Sequence, residues 1–174
     1  MSTTTLLTRL AARDRALFVR CLVTDSVSRR RRLVWTAITH LGGVSCSVIA
    51  ATIPLALGGP IADAARRTLL ILVCSHLVVQ LVKRTVSRPR PSSVIECTTL
   101  VVEPDRFSFP SGHSAAAMAV AIGYAIVFPS LAVPLVLAAV LVGASRVFLG
   151  VHYPGDVLVG QLITVLTALV LRAF

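Results

Sequence analysis

The sequence predicts an all-α fold, a polytopic membrane helical bundle with about five spanning helices preceded by an amphipathic surface helix. Three observations lead to this prediction. Hydrophobic residues make up 56% of the 174 residues and charged residues only 14%, which is too apolar for an ordinary soluble domain of this size. Several long apolar runs are bounded by Gly, Pro or charged residues. The basic residues cluster at the ends of those runs, as they do around membrane spans.

Residues 1–33 form a basic arm. Apolar residues recur in it at roughly helical spacing, which predicts an amphipathic helix on the membrane surface followed by a basic juxtamembrane run. The apolar positions are Leu6, Leu7, Leu10, Leu17, Phe18 and Leu22, and the arginines are Arg9, Arg13, Arg15, Arg20 and Arg29 to Arg32. The alternative is a first spanning helix, which the charges within the segment disfavour.

Residues 34–174 form a single membrane domain. Its apolar segments cover residues 34–57, 68–83, 114–128, 131–148 and 156–171. A bilayer core takes about 20 helical residues, so several of these segments are short. We therefore expect flanking polar residues such as Lys83 and Asp156 to lie inside the helical ends.

Residues 84–112 form one long polar connection, and a loop this long in a compact domain is usually functional. We expect it either to contact the part of a substrate beyond its reacting group or to act as a spacer. The candidate contacts are Ser92, Ser93, Glu96, Thr98, Phe107 and Phe109.

The net charge of +10 is typical of proteins that bind nucleic acid, anionic lipids or phosphate. Because the basic residues lie at the ends of apolar runs and not along a polar face, we predict no nucleic-acid partner. Fourteen of the 17 basic residues fall on one side of the five-helix topology. The positive-inside rule then places the N-terminus and the 84–112 loop in the cytoplasm, in what we expect to be a bacterial plasma membrane. If residues 6–24 span, the loop faces the other way.

The four cysteines show no Cys-x-x-Cys or Cys/His metal spacing, and no carboxylate cluster suited to Mg²⁺ is evident. The sequence therefore predicts neither a metal site nor a cofactor. The oligomeric state is left open.

Ionisable residues interrupt the apolar pattern between residues 145 and 156. Leu149-Gly150 and Pro154-Gly155 predict a turn between two helices. Asp156 follows His152 by four residues, close enough to orient its imidazole as a nucleophile or a base. The alternative is a helix-end histidine and an N-capping aspartate without chemistry.

Two further polar patches should reach the same membrane face. Lys83 and Arg90 lie at the end of the second apolar segment, and Ser111, Gly112 and His113 open the third. Together with Arg146 they offer cations and a helix N-terminus, which suit a phosphate group. His113 is placed to protonate a leaving alkoxide, and His152 to attack phosphorus.

These three patches resemble the signature of the type 2 phosphatidic acid phosphatase (PAP2) superfamily, K-x6-R-P, P-S-G-H and S-R-x5-H-x3-D. Each fixed position is met, at Lys83, Arg90, Pro91, Pro110 to His113, Ser145, Arg146, His152 and Asp156. The resemblance implies a metal-independent phosphatase with a PAP2-like helical core and a phosphohistidine intermediate. His152 would be the nucleophile, Asp156 its partner and His113 the general acid. The phosphate would be bound by Lys83, Arg90, Ser111, Gly112 and Arg146. Integral members of the family commonly have six spanning helices, one more than the sequence indicates here.

The leading hypothesis is a membrane lipid-phosphate phosphatase. Its substrate would be a polyprenyl-linked phosphosugar, phosphatidylglycerophosphate, phosphatidate or a polyprenyl diphosphate. Two other classes compete with it. One is a haloperoxidase-like use of the same oxyanion pocket, which the apolar spans disfavour. The other is a non-enzymatic transporter or lipid-binding protein that uses its basic face for anchorage.

Overall fold

The computed structural model describes residues 3–22, 28–95, 97, 99–103 and 105–172. Within these ranges the secondary structure is helical. There are seven α-helices: α1 (Thr3–Cys21), α2 (Arg29–Leu41), α3 (Val44–Thr52), α4 (Gly59–Val86), α5 (Gly112–Val127), α6 (Ala132–Phe148) and α7 (Pro154–Arg172). Short 3₁₀ turns follow α3, α4 and the end of α5, at Ile53–Leu57, Pro91–Ser93 and Pro129–Leu131. The predicted all-α class is confirmed.

Helix α5 lies at the centre of the bundle and packs against α4, α6 and α7. Its buried residues are mostly small: Ser114, Ala115, Ala117, Met118, Ala119, Ala121 and Gly123. Small side chains let helix backbones approach closely, which is how helices associate in a membrane. At Gly123 the backbone of Thr68 on α4 is so close that a β-carbon would not fit.

Three helical stretches among the described residues are long and apolar enough to cross a membrane: 59–93, 129–148 and 154–172. The α2–α3 pair qualifies as a fourth if its two parts are counted together, and α5, with 16 residues, is a shorter apolar helix. Each of the five predicted segments is thus helical, and the chain is an integral membrane protein.

The first predicted segment, 34–57, is wrong as a single helix. It is divided between α2 and α3, which are bent by 42° at Gly42-Gly43. Gly42 caps α2 and packs against the carbonyl of His113 and the side chain of Val142, with no room for a side chain of its own. The boundary at residues 33/34 lies inside α2, which already begins at Arg29.

Helices α4 and α7 extend beyond the predicted segments at both ends, whereas the ends of α5 and α6 lie within two residues of the predicted ones. Helix α4 starts nine residues before the predicted 68, so Arg66 lies within it and pairs with Asp63 at 2.5 Å. Lys83 and Asp156 lie inside α4 and α7, as predicted.

Helix α1 packs against α6 and α7 and does not meet the length and apolarity expected of a span. Phe18 is fully buried and contacts the Tyr153 ring edge-on, with centroids 5.3 Å apart. Arg15 donates a hydrogen bond to the carbonyl of Val94 at 3.0 Å. The arm is therefore anchored at the end of the bundle where the 84–112 connection lies.

Candidate active site

The three polar patches meet at one end of the bundle. Backbone hydrogen bonds join them: Ser108 N–H donates to Arg88 O at 2.9 Å, and Ser111 N–H donates to Asp156 O at 2.9 Å. The guanidinium of Arg90 donates to Val151 O at 2.8 Å. Segments up to 61 residues apart in the chain thus lie together at this end of the bundle.

The start of α5 supplies free backbone N–H groups. Ser111 is its N-cap residue and is fully buried, and its hydroxyl accepts a hydrogen bond from Ser114 at 2.9 Å. Helix α7 packs directly against this end of α5, because Gly160 has no side chain and its Cα can lie against the backbone of Ser111. This close packing fixes the direction of the α5 N-terminus, where the helix dipole favours an anion.

His113 faces a cavity of about 360 Å³ that Lys83, Asp105 and Gly112 also line. His113 and Lys83 thus line the same cavity. Arg146 and His152 are joined by a backbone hydrogen bond, in which His152 N–H donates to Arg146 O at 3.2 Å.

Lys83 and Arg90 both bind the carboxylate of Asp105. Lys83 Nζ lies 2.6 Å from Asp105 Oδ2 and Arg90 Nη2 lies 2.8 Å from Oδ1. Arg90 Nε also donates to Asp105 O at 2.7 Å, and Lys83 to Phe107 O at 3.3 Å. Two cations predicted to bind phosphate thus hold a carboxylate of the chain itself.

Asp105 is ionised as a consequence. Burial alone would raise the pKa of its carboxyl group, but the hydrogen bonds and positive charges of Lys83 and Arg90 outweigh burial and hold the pKa below its usual 3.8.

Arg146 is buried and incompletely paired. Its Nη1 donates to Thr39 Oγ1 on α2 at 2.8 Å, while Nε and Nη2 have no hydrogen-bond partner among the described residues. Buried donors are nearly always paired in folded proteins. The two unpaired N–H groups, on a residue whose carbonyl accepts a hydrogen bond from His152 N–H, therefore indicate that an anion completes this part of the site.

His152 and Asp156 lie side by side, with His152 Nδ1 3.6 Å from Asp156 Oδ2. This is ion-pair range but longer than a hydrogen bond. The carboxylate is also bound by three other groups: it accepts from Ser108 Oγ, from Arg88 Nη1 at 2.6 Å and from Tyr153 N–H at 2.9 Å. Asp156 therefore lies beside His152, which it is predicted to orient, and it also binds Ser108, Arg88 and the backbone of Tyr153.

The imidazole of His152 is neutral near pH 7. Burial lowers its pKa from 6.5 to about 4; Asp156 acts against this shift and the charge of Arg146 acts with it. A neutral imidazole keeps a free lone pair on one nitrogen, which a nucleophile requires.

Four contributors to this site are absent from the predicted set: Asp105, Arg88, Ser108 and Thr39. Arg88 bridges Asp156 and Asp14 at 2.6 and 2.8 Å, and its guanidinium carbon lies 4.0 Å from the Tyr153 ring centroid. Its position two residues before Arg90 only weakly indicates a role in the site. The others carry no local pattern that marks them.

The 84–112 connection is partly held by its own contacts. Ser92 donates to Glu103 at 2.6 Å and Ser93 to Arg90 O at 2.8 Å. Glu96 and Thr98 lie outside the described residues. Across the part of the chain that the structure describes, there is no group of three or more His, Cys, Asp or Glu side chains able to hold a metal ion.

Comparison with known proteins gives a consistent picture. A family model described as the PAP2 superfamily matches residues 64–174. The decaprenylphosphoryl-5-phosphoribose phosphatase of Mycolicibacterium smegmatis is 35% identical over 133 residues, which cover 71% of this chain and 68% of that protein. The lipid A 1-phosphatase of Rhizobium etli is 35% identical over 94 residues, or 51% of this chain, and the match spans only 40% of that protein's length.

Two solved structures share the fold. The PAP2-type phosphatidylglycerolphosphate phosphatase of Bacillus subtilis superposes with a TM-score of 0.78 at 29% identity, covering 95% of this chain and 86% of that one. Aquifex aeolicus LpxE superposes with a TM-score of 0.75 at 25% identity, covering 91% of this chain and 94% of that one.

Proposed function

The chain belongs to the PAP2 superfamily, and from this membership we propose that it is a metal-independent membrane phosphatase that removes a phosphate group from a lipid. The observation that carries the proposal is that Lys83 and His113 line one cavity, while Arg90 and Arg146 both bind the backbone of the turn that carries His152.

The first step is attack by His152. Its Nδ1 faces Asp156, so Nε2 forms the bond to phosphorus. As the P–N bond forms, the P–O bond to the lipid breaks, and the lipid oxygen takes a proton from His113. Asp156 stabilises the positive charge that develops on the imidazole.

The second step is hydrolysis of the phosphohistidine. A water molecule attacks phosphorus, His113 takes its proton, and the P–N bond breaks to release inorganic phosphate. His113 thus acts first as an acid and then as a base.

The phosphate oxygens are bound by groups that are already in place. Arg146 offers its two unpaired donors, Ser111 and Gly112 offer the α5 N-terminus, and Lys83 and Arg90 offer the charges now shared with Asp105. Preorganised donors of this kind supply the largest share of catalysis in most enzymes that stabilise anionic transition states.

The substrate we propose is a lipid whose phosphate lies at the membrane surface. A polyprenyl-linked phosphosugar is supported by the resemblance to the decaprenylphosphoryl-5-phosphoribose phosphatase, which extends over two thirds of both chains. Phosphatidylglycerophosphate is supported by the structural resemblance to the B. subtilis enzyme. Phosphatidate and a polyprenyl diphosphate complete the set.

Phosphate release from these four lipids in detergent tests the activity. We expect release from at least one of them, with loss of nearly all activity in His152→Ala and His113→Ala. Lys83→Ala should also be strongly impaired, whereas Arg84→Ala, the neighbouring exposed cation on the same helix, should stay near wild type. Near-wild-type turnover by either histidine variant would refute the mechanism. No release from any lipid by the wild type would favour a non-enzymatic membrane protein.

We also propose that the site faces the cytoplasm of a bacterial plasma membrane, because the basic arm and the 84–112 connection lie at the same end. Arg106 is exposed, so Arg106→Cys in a chain without its native cysteines provides a labelling site. An impermeant maleimide should label it in inverted vesicles and not in right-side-out cells. The opposite pattern would place the site outside.

A further inference from the structure

The cavity that reaches His113 extends away from the site between α3 and α4. Its far walls are apolar and include Val44, Val48 and Leu77, which are exposed at the bundle surface. In a membrane protein such a surface faces lipid chains. The cavity therefore runs from the phosphate-binding groups toward the bilayer.

Three polar side chains interrupt the apolar walls: Ser47 on α3 and His76 and Gln80 on α4. His76, Gln80 and Lys83 are spaced i, i+4 and i+7, so they share one face of α4. At 1.5 Å per residue, Gln80 lies about 4.5 Å and His76 about 10.5 Å along the helix from Lys83. A lipid phosphate held at Lys83 would place the next part of its headgroup beside these two residues.

These polar groups have hydrogen-bonding capacity to spare. Gln80 Nε2 and His76 Nε2 lie 3.2 Å apart. This contact does not use the side-chain carbonyl oxygen of Gln80. Ser47 is only 2% exposed, and its hydroxyl has no partner among the described residues. Polar residues at membrane depth are costly unless they serve a ligand or a pathway, and a buried unpaired hydroxyl is uncommon.

We propose that Ser47, His76 and Gln80 form a binding subsite for a hydroxyl-bearing group, a sugar ring or polyol, that joins the substrate's phosphate to its lipid chain. This inference rests on the proposed phosphatase function and narrows its substrate class.

The chemistry of the subsite favours hydroxyls over a second phosphate. Amide, imidazole and hydroxyl groups both donate and accept hydrogen bonds, as hydroxyls require. A second phosphate would call for further cations, but Lys83 is the sole Lys or Arg among the described residues that line the cavity.

A matched pair of substrates tests the subsite: 1-O-dodecylglycerol 3-phosphate, whose phosphate is carried on a hydroxyl-bearing glycerol, and dodecyl phosphate, whose phosphate is carried directly on the same alkyl chain. We expect Gln80→Leu and Ser47→Ala each to lower kcat/KM about 10-fold for the glycerol ester, the loss of one hydrogen bond. Both variants should hydrolyse dodecyl phosphate at the wild-type rate, which also shows that they are folded. Thr85→Val on the same helix, outside the cavity, is the control and should leave both rates unchanged.

The outcomes separate the two proposals. Equal losses on both lipids in both variants, or no loss on either, would overturn the subsite and leave the phosphatase function in place. If the wild-type protein releases phosphate from one of the four candidate lipids but hydrolyses neither of these two, the subsite is overturned and the phosphatase function stands. Release from none of these lipids would overturn the phosphatase function, and the subsite with it.

Discussion

Two aspartates at the same end of the bundle each pair with basic side chains, yet their surroundings differ. Asp156 lies in the first turn of α7, is 0% exposed, and contacts Ser108, Arg88, His152 and the backbone of Tyr153. Asp105 lies in the 84–112 connection, and its side chain is 39% exposed. Its carboxylate contacts only Lys83 and Arg90 among the described residues.

Because of this difference, we call the Asp156 carboxylate a permanent charge and the Asp105 carboxylate an exchangeable charge, one that another anion can replace. If the Asp156 carboxylate moved away, the buried donors around it would lose their hydrogen-bond acceptor, which is strongly destabilising. Asp105 lies on a partly exposed loop and neutralises cations that the proposed mechanism assigns to the substrate's phosphate. We therefore expect Asp156 to be needed throughout the reaction, and Asp105 to give way when an anion binds.

The largest effect should come from removing the permanent charge. Asp156→Asn keeps the shape of the side chain but removes the charge that orients His152 and pairs with Arg88, so kcat should fall on the order of 10³-fold. Thermal unfolding in detergent should also shift downward. Phosphate-release kinetics and a melting curve measure both effects. A kcat within 10-fold of wild type would show that the charge of the Asp156 carboxylate is dispensable.

The next effect should come from Arg88, which joins Asp156 to the arm. Arg88→Ala leaves the buried Asp156 with one partner fewer, and we expect kcat to fall about 30-fold. Arg88→Lys should recover part of this loss, because a lysine restores the charge but not the guanidinium fork. Equal activities of the two variants would mean that packing against Tyr153, not charge, is the role of this residue.

A smaller effect of the opposite sign should come from the exchangeable charge. Asp105→Asn removes a carboxylate that competes for Lys83 and Arg90, so inhibition by orthovanadate should strengthen about 3- to 10-fold. Because the pKa of Asp105 is held below 3.8, its carboxylate is charged throughout the range from pH 5 to pH 8. The ratio of the inhibition constants should therefore stay constant over that range.

Weaker vanadate binding in Asp105→Asn would contradict this interpretation and assign Asp105 a positioning role instead. Glu103→Gln is the matched control, since Glu103 Oε2 lies 3.9 Å from Arg90 and outside hydrogen-bonding distance.

The smallest effect should come from Asp14, the link between α1 and this network. Its carboxylate accepts from Gly155 N–H at 2.7 Å and pairs with Arg88 at 2.8 Å. Asp14→Asn keeps a hydrogen-bond acceptor, so kcat should change less than 3-fold while limited proteolysis of α1 becomes faster. A loss as large as that of Arg88→Ala would instead make the arm part of the catalytic machinery.

The sequence predicts the apolar segments and the meeting of the three patches because both depend on strong local signals. Apolar runs of this length have few alternatives to a helix in a membrane, and the motif residues fall at helix ends that the topology brings together. Asp156 was predictable because it follows His152 by only four residues.

The remaining features depend on contacts between residues far apart in the chain. Nothing near Asp105 marks it as the partner of Lys83, 22 residues earlier. The break at Gly42-Gly43 follows from packing against α5 and α6, which an apolar run does not reveal. The docking of α1 through Phe18 looks the same in sequence as an apolar face turned toward lipid.

The contact between Gly160 and Ser111 has a consequence for anyone who diversifies this protein. A methyl group at position 160 would lie 2.5 Å from the carbonyl oxygen of Ser111, so even alanine there has to push the start of α5 out of place. Saturation libraries should therefore hold residue 160 constant, although it bears no functional group. Variants with a replacement at residue 160 should be as inactive as variants that lack one of the signature residues.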